Sequence, residues 1–511
     1  MTPETPETTV AEALADFDVH DSASRDRLDT AADLPILGRD DALAVCGAVA
    51  SLESLDCSLD EADAWEKNHA IHMLLALFQQ ADDEDAVGVL REQGIPELVR
   101  LVDAALEDLG DSDADAEDEI SADGQATGDQ TDDGADSSEG GRGEELPEGD
   151  EQASESGEAG GIDAVTTPGH SRLMFALKIL SLYGTPDGLD RLVDAAHHPK
   201  LAEEYLWHVI LSGLPRKHPV TESVAGRLVD PLPPGFAGVA TLDLVNALLL
   251  DGADMTHTFQ SDEGLARIEG WLRDKDEENF SYAVSAAAAL PFLERSGRDR
   301  LFALAWEHSS PEVQLEAAYA SARIGGEAGI KVLVRWCEDP RYALRAMAYL
   351  EELDREDALP ACLEDEDYLA LAHMTQWLMH PNEYGSAPDR IEMIDCREMF
   401  WPPVDERRVM RLFRYEYDST PDEDEEGEDG SESGRKESSG EVETDVGIGL
   451  VGSVTFSLFG ESTPDMTPEQ LYGLHCAWEL EIRGDPRAPE ERTAESGQKI
   501  LDEYNDGVAG L

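Results

Sequence analysis

The sequence predicts a mainly α-helical protein, an α-solenoid of paired helices with a small C-terminal α+β unit and two disordered acidic insertions. Three observations support this fold class. Apolar residues recur at helical spacing through most of the 511 residues. The segment that begins at Pro311 recurs after a shift of 29 residues, as expected of stacked helix pairs. Two later segments alternate apolar and polar residues, which predicts strands.

The N-terminal part predicts a partly disordered segment, residues 1–37, followed by a helical block, residues 38–110. The block contains three stretches with apolar residues at helical spacing: "DDALAVCGAVASL", "DAWEKNHAIHMLLALFQQA" and "IPELVRLVDAAL". The stretch "GIPELVRLV" is similar to an armadillo-type helix, so N-terminal helical repeats are expected here. A linker, residues 111–168, follows, and its part 111–160 holds 19 acids and one Arg. Such a composition cannot bury enough apolar area to fold, which predicts disorder.

Residues 169–384 predict the main solenoid. In the clearest repeat, "SSPEVQLEAAYASARIGGEAGIKVLVRW", Ser310 is the predicted N-cap and Pro311 the first helical residue. The glycines of "GGEAG" suit a left-handed C-cap before the second helix. A shift of 29 residues places Pro311 on Pro340, Ala317 on Ala346, Ile324 on Leu353 and Ile330 on Leu359, and a more distant copy, residues 172–196, places Gly184 on Gly325. Between the copies, "EEYLWHVILSGL", "ATLDLVNALLLDGAD" and "EGLARIEGWLRD" are also predicted helices.

This repeat resembles a HEAT repeat of the short kind named after phycobilisome lyases. The resemblance lies in the Pro and Val that open the first helix, the Ala-rich middle, the Gly-containing turn and the apolar second helix. It covers residues 280–360 clearly and 170–275 more weakly. It implies an extended interaction surface and carries no catalytic residues.

Residues 385–485 predict a small α+β unit. The stretches 408–419 and 447–462 alternate, so each is expected to form a strand. An acidic insertion, residues 419–446, separates them and is predicted to be disordered. The stretch "TPEQLYGLHCAWELEI" then predicts a helix with a capping box between Thr467 and Gln470. A C-terminal tail, residues 486–511, completes the chain.

The charge of the chain is strongly negative, with 113 acids, 38 bases and a formal net charge of −75. The two acidic tracts account for about −28 of it, so most of the acidity is spread over the predicted folded parts. Salt at molar concentration would screen that repulsion, and the composition resembles that of haloarchaeal proteins. The alternative is an ordinary acidic scaffold with two disordered tracts. Under either interpretation, the composition excludes nucleic acid as a partner, because no Lys/Arg cluster could neutralise phosphates.

The remaining composition predicts a cytoplasmic protein without membrane insertion. None of the six cysteines forms a C-x-x-C pair, which predicts reduced thiols. The stretch "MTPETPETTVAEALADF" lacks the apolar core of a signal peptide, and no run of 18 apolar residues occurs. Phosphate loops, dinucleotide fingerprints and zinc-protease motifs are also missing. We therefore predict no catalytic, cofactor-binding or metal site.

Three groups of histidines are candidates for metal binding or catalysis, and each could instead be an ordinary residue on a helix. His69 and His72, three residues apart, have the spacing of two metal ligands, but no third ligand lies nearby in the sequence. His197, His198 and His208 lie near Glu203 and Glu204, a mixture that suits metal binding or acid–base chemistry but is also expected by chance in so acidic a chain. The adjacent residues His475 and Cys476 point about 100° apart on a helix, which disfavours a catalytic dyad.

Two groups of residues are candidates for binding another protein. Phe400 and Trp401 precede two prolines in "MFWPPVDERR", so an exposed aromatic pair on a rigid loop is one interpretation. The other is that both rings join the solenoid to the α+β unit. Arg335, Arg341 and Arg345 lie in the best repeats, with Arg323 nearby. They either recognise an acidic partner or pair with neighbouring Glu and Asp.

The function predicted from these features is a non-catalytic protein–protein interaction scaffold or adaptor in the cytoplasm of a halophile. The alternative is an enzyme or lyase-type protein of the phycobilisome-lyase HEAT-like group. That alternative requires several titratable groups converging on one polar pocket. A regulatory role in a larger complex is a third possibility, although the sequence contains no fused sensor or kinase module.

Overall fold

The structure, a computed structural model, describes residues 9–31, 34–36, 38–58, 61–122, 170–419, 443–453, 456–458, 463–484 and 492–506. These residues are mainly helical and include one small antiparallel sheet. The chain divides into two compact units, Met1–Ala305 and Trp306–Leu511. Most of both predicted acidic insertions lies outside the described residues.

The first unit consists of helices. Their bounds are α1 Val10–Ala13, α2 Ser22–Ala31, α3 Arg39–Ala50, α4 Ala64–Ala76, α5 Glu84–Val89, α6 Ile95–Ala122, α7 His170–Tyr183, α8 Pro186–Ala196, α9 Leu206–Ser212, α10 Pro219–Arg227, α11 Gly235–Leu250, α12 Asp262–Arg273, α13 Phe280–Ala289 and α14 Arg295–Trp306, whose last residue belongs to the second unit. The helices predicted in 38–110 and 169–305 are present. Two helices, α1 and α2, lie in the segment predicted to be partly disordered, and α6 continues past residue 110.

Local signals position the ends of these helices. The Thr185 hydroxyl accepts a hydrogen bond from the Gly188 N–H at 3.3 Å, and Pro186 occupies the first turn of α8. Gly184 has a φ of 59°, a left-handed conformation that glycine adopts at low cost. Gly325, which the repeat alignment matches to Gly184, has a φ of 81°. The two aligned turns therefore both place a glycine in a left-handed backbone conformation.

A continuous apolar core runs through α1 to α11 of the first unit, from Val10 in α1 to Leu248 in α11. Trp207 is its largest fully buried side chain, and its indole N–H donates to the Leu201 carbonyl at 2.7 Å. Because that hydrogen bond satisfies the buried donor, the ring can be buried whole. The Leu201–Trp207 turn is thereby fixed at the start of α9.

The second unit contains further helices and the sheet. Its remaining helices are α15 Pro311–Arg323, α16 Glu327–Trp336, α17 Ala343–Glu352, α18 Glu366–Leu378, α19 Pro468–Ile482 and α20 Ala494–Asp506. Ser310 caps α15 as predicted, and the predicted capping box of Thr467 and Gln470 begins α19. The second helix of the 29-residue copy after α17 is a wrong prediction. Pro360 and two short 3₁₀ turns, Glu356–Ala358 and Ala361–Glu364, stand there, because proline interrupts helical hydrogen bonding.

The sheet has four antiparallel strands in sequential order: β1 Arg390–Trp401, β2 Glu406–Ser419, β3 Glu443–Val451 and β4 Phe456–Leu458. The prediction of strands at 408–419 and from 447 is confirmed, but the second is two strands that a turn at Gly452 separates. The first strand, β1, was not predicted. The C-terminal tail, residues 486–511, contains the helix α20, which packs on α19.

Both faces of the central strand β2 are buried. Met410 and Leu412 belong to the apolar cluster that contains α19 and α20 residues, whereas Phe413 and Tyr415 pack with α18 residues such as Met374. Alternate side chains of a strand point to opposite faces, so the sheet lies between two helical layers. On α19, Leu471 is buried, whereas Trp478 is 47 % exposed.

No helix in the described part of the chain is long and apolar enough to span a bilayer.

Candidate functional site

Three alternate helices of the first unit, α9, α11 and α13, carry a row of partly exposed rings at their starts. The Tyr205 ring stacks on His208 at 5.1 Å and on Phe236 at 5.8 Å between centroids. Phe236 in turn lies 5.9 Å from Tyr282. Tyr205 is 39 % exposed, and the other three rings are half-buried. We call His208, Tyr205, Phe236 and Tyr282 the aromatic row.

The loop before α9 fixes the start of α11 and with it the position of Phe236. A Glu203 carboxylate oxygen accepts a hydrogen bond from the Phe236 N–H at 3.2 Å, and the Ala237 N–H donates to the Ala202 carbonyl at 2.8 Å. The first N–H groups of a helix lack intrahelical partners, so these acceptors stabilise the end of α11. Gly235 has a φ of 53°, and a Cβ there would overlap the Glu203 carboxylate.

A pocket of about 310 Å³ adjoins the aromatic row between α9 and α11. His208 belongs to both features. The pocket combines an apolar wall with three ionisable groups among the described residues, and its lining is His208, Leu211, Ser212, Leu214, Arg216, Ala240, Asp243, Leu244 and Ala247. Asp243 also accepts a hydrogen bond from the Ser285 hydroxyl of α13 at 3.1 Å. The row and the pocket form one surface over three helices.

The histidines that the sequence analysis names as candidates each contact a different partner. His69 stacks on Trp65 at 5.3 Å, and His72 stacks on Phe175 at 4.7 Å. Burial lowers the pKa of His72, with a smaller contribution from His69. His197 is hydrogen-bonded through Nδ1 to the Val193 carbonyl at 2.8 Å. Within the described residues, no group of three or more His, Cys, Asp or Glu is arranged to hold a metal ion.

His475 and Cys476 are both buried on α19. Burial lowers the pKa of His475 to about 3, so this imidazole is neutral at physiological pH.

The interpretation of Phe400 and Trp401 as an exposed binding pair on a loop is corrected by the structure. Both residues end strand β1, and Trp401 is fully buried, with its indole N–H donating to Glu479 at 2.7 Å. Phe400 stacks on Tyr504 of α20 at 5.4 Å. The sequence does not show this because both contacts involve residues more than 70 positions away. The two rings hold β1 to the following helices of the same unit.

Arg341 and Arg345 each pair with a nearby acid, Arg341 within its own loop and Arg345 in the preceding repeat. Arg341 lies 2.7 Å from Asp339. Arg345 of α17 reaches Glu316 of α15 at 3.2 Å, and its Nε donates to the Tyr349 hydroxyl at 2.9 Å. Glu316 is buried, and burial raises the pKa of its carboxyl group against the opposing effects of Tyr349 and Arg345.

Arg345 therefore bridges α15 and α17, with its side chain 42 % exposed. Arg335 is exposed in the last turn of α16.

Sequence reasoning missed the aromatic row apart from His208, which it chose together with the nearby Glu203 for metal or acid–base chemistry. Tyr205, Phe236 and Tyr282 each stand at the start of a helix, at the N-cap or in the first turn. An aromatic residue at the start of alternate helices is the signal that could have revealed the row.

Comparison with known proteins finds no matching family model, no matching curated protein and no matching solved structure.

Proposed function

We propose that this protein is a non-catalytic scaffold or adaptor that binds another protein through an array of HEAT-like helix pairs. The observation that carries the proposal is the aromatic row, whose rings lie side by side on α9, α11 and α13 with an open pocket at one end. Large aromatic side chains dominate the energetics of protein interfaces when a partner covers them. The helix pairs α7–α8 and α15–α16, each joined at a positive-φ glycine, support the repeat interpretation.

The proposed setting is the cytoplasm of a halophile, and it supports an apolar mode of binding. At a net charge of −75, partner recognition in dilute salt would be dominated by long-range repulsion or attraction. At molar salt the Debye length falls to about 3 Å, so contact between rings and apolar surface decides affinity. A row of Tyr, Phe and Tyr suits that condition.

The test is affinity capture of the tagged full-length chain from its native lysate in 2 M KCl. Three baits are compared: the unchanged chain, a Tyr205→Ala/Tyr282→Ala variant, and a Trp478→Ala variant as the matched control. Trp478 is also exposed but lies on α19 in the second unit. We expect one stoichiometric partner that the Tyr205/Tyr282 variant loses and the Trp478 variant retains. Equal capture by all three baits, or capture by none, contradicts the proposal, provided that circular dichroism shows folded chains.

A second candidate function is small-molecule binding, as the enzyme alternative requires. The specific observation is the convergence of His208, Arg216 and Asp243 on one pocket of about 310 Å³. An imidazole, a guanidinium and a carboxylate can orient a polar ligand over an apolar wall. A thermal-shift screen of small carboxylic and amino acids tests this, with Ala247→Phe as the variant that fills the pocket. Ligands that stabilise the unchanged chain and not the variant would favour this function. Identical thermal shifts for the chain and the variant would exclude this pocket as the ligand-binding site.

A further inference from the structure

Trp65 is an unusually exposed tryptophan, with 73 % of its surface open to solvent. It lies in the first turn of α4 and stacks on His69, one turn further along, with ring planes 6° apart. The stack holds the indole in one orientation, since the two rings support each other across the i, i+4 spacing. A large aromatic surface kept rigid and in water is the usual form of a binding anchor.

The indole forms one wall of a cleft of about 530 Å³ between α2 and α4. Met73 supplies aliphatic surface in the cleft above the buried Ala70, and acidic residues from both helices and the preceding loop surround it. The described lining is Ser22, Arg25, Asp26, Asp29, Asp63, Trp65, Glu66, His69, Ala70 and Met73. This combines a flat ring, an aliphatic wall and carboxylates within one cleft.

The charge of the lining is negative, with four carboxylates against the single guanidinium of Arg25. Arg25 is buried and turned inward, since its Nη1 donates to the Val19 carbonyl at 2.9 Å and its Nη2 lies 3.6 Å from Asp63. The side chains of Asp26, Asp29 and Glu66 are exposed around the cleft. A cationic group that entered would therefore meet carboxylates on both helices.

We propose that this cleft binds an arginine side chain presented by a partner protein. A guanidinium stacks flat on an indole and donates hydrogen bonds in its plane to two carboxylates, whereas an ammonium does neither as well. The aliphatic stem of arginine would pack on Met73, the half-buried aliphatic side chain of the lining. The inference rests on the proposed protein-binding function but uses a surface separate from the aromatic row.

The test uses isothermal titration calorimetry with the full-length chain and the peptide acetyl-Gly-Ser-Arg-Ser-Gly-amide in 0.2 M and 2 M KCl. The reference peptide carries citrulline, which keeps the shape of arginine and removes its charge. We expect the arginine peptide to bind at least about tenfold more tightly, and Trp65→Ala to weaken it by about tenfold. Asp26→Asn/Asp29→Asn should weaken it strongly in 0.2 M KCl and less in 2 M KCl, because salt screens the carboxylates.

Two control variants separate this site from the general acidity of the chain. Glu277→Gln/Glu278→Gln removes two exposed acids elsewhere in the first unit, and Trp478→Ala removes another exposed tryptophan. Both should bind like the unchanged chain.

Three results would overturn the inference: no binding by the unchanged chain, equal binding of the citrulline peptide, or equal binding by the Trp65→Ala variant. The capture experiment on the Tyr205/Tyr282 variant is independent of these outcomes, so failure of one proposal is distinguishable from failure of the other.

Discussion

The indole of Trp401 and the carboxylate of Glu479 form a hydrogen bond of 2.7 Å between two fully buried side chains. The other oxygen of the carboxylate accepts from the Ser453 hydroxyl at 2.6 Å. A buried carboxylate is costly without donors, so the stability of this unit depends on the N–H of one ring. Burial and hydrogen bonding at single residues therefore decide roles that residue type alone leaves open.

We expect Trp401→Phe to lower the free energy of unfolding by about 1–3 kcal/mol, because the ring area is mostly kept while the donor to Glu479 is lost. Urea denaturation in 2 M KCl measures this. Trp478→Phe is the matched control and should change stability by less than about 0.5 kcal/mol, since that ring is largely exposed. Equal effects of the two substitutions would contradict the role given to the hydrogen bond.

His257 predicts a pH dependence of stability. Its Nε2 is bonded to the Asn246 side-chain oxygen at 3.0 Å, and its Nδ1 accepts from the Phe259 N–H at 3.1 Å, which favours the neutral ring. Burial lowers the pKa of His257 to about 4, whereas an unfolded chain titrates near 6.5. The unfolded state therefore binds the proton first as pH falls. Its contribution to stability is complete above pH 6.5 and is lost between pH 6.5 and 4.

We expect about 2 kcal/mol of stability to depend on His257 between pH 7.5 and pH 5. The measurement is urea denaturation at both pH values for the unchanged chain and His257→Gln, whose pH dependence should be smaller by that amount. His20→Gln, at an exposed histidine, is the control and should keep the original pH dependence. An unchanged slope in the His257 variant would show that this ring is not the titrating group.

At the scale of elements, the packing of α20 on α19 depends on two glycines. A Cβ at Gly473 would overlap the Ala494 carbonyl and would lie 2.8 Å from the backbone nitrogen of Gln498. A Cβ at Gly497 on α20 would likewise overlap the backbone of Gly473 on α19. The absence of side chains at these two positions lets the helix backbones touch. This contact seats α20, which in turn holds the end of β1 through Asn505 and Tyr504.

Gly473→Ala should destabilise the protein by at least about 2 kcal/mol, although alanine is the better helix former by about 1 kcal/mol. The helices would have to separate to admit the methyl group. Gly270→Ala in α12 is the matched control, because a Cβ there meets no atom within 4 Å. It should be neutral or stabilising by up to about 1 kcal/mol. Thermal melts of both variants measure the difference, and a stable Gly473 variant would refute the close-contact account.

At the scale of the whole molecule, the net charge of −75 sets the conditions in which the chain is stable. Arginines such as Arg411, buried against Asp367 at 2.7 Å and Glu366 at 3.1 Å, neutralise acids locally. The remaining carboxylates repel one another, which opposes the compact state. Added salt shortens the Debye length from about 10 Å at 0.1 M to about 3 Å at 1 M and so reduces the repulsion.

The melting temperature should therefore rise between 0.1 M and 2 M KCl. Tryptophan fluorescence during heating measures it, with sucrose of equal osmolality as the control for effects other than charge screening. A melting temperature that is constant or falls with KCl would count against the halophile interpretation. It would favour the alternative interpretation, an ordinary acidic scaffold.

The sequence by itself determined the elements whose signals are local. The N-cap of α15 at Ser310, the capping box of α19 at Thr467 and the left-handed turn at Gly325 each depend on residues within one helical turn. The alternation that predicts β2 is equally local. These features were predictable because backbone hydrogen bonding and sterics over a few residues decide them.

Only the tertiary structure decided the roles that depend on distant contacts. Tyr205, Phe236 and Tyr282 meet although 31 and 46 residues separate them in the sequence, and Trp401 contacts Glu479, which is 78 residues away. The pattern of β1 was hidden because strand pairing with β2, rather than its own alternation, stabilises it. A side chain becomes an anchor in solvent or a buried support according to what other elements cover it, and the local sequence does not contain that information.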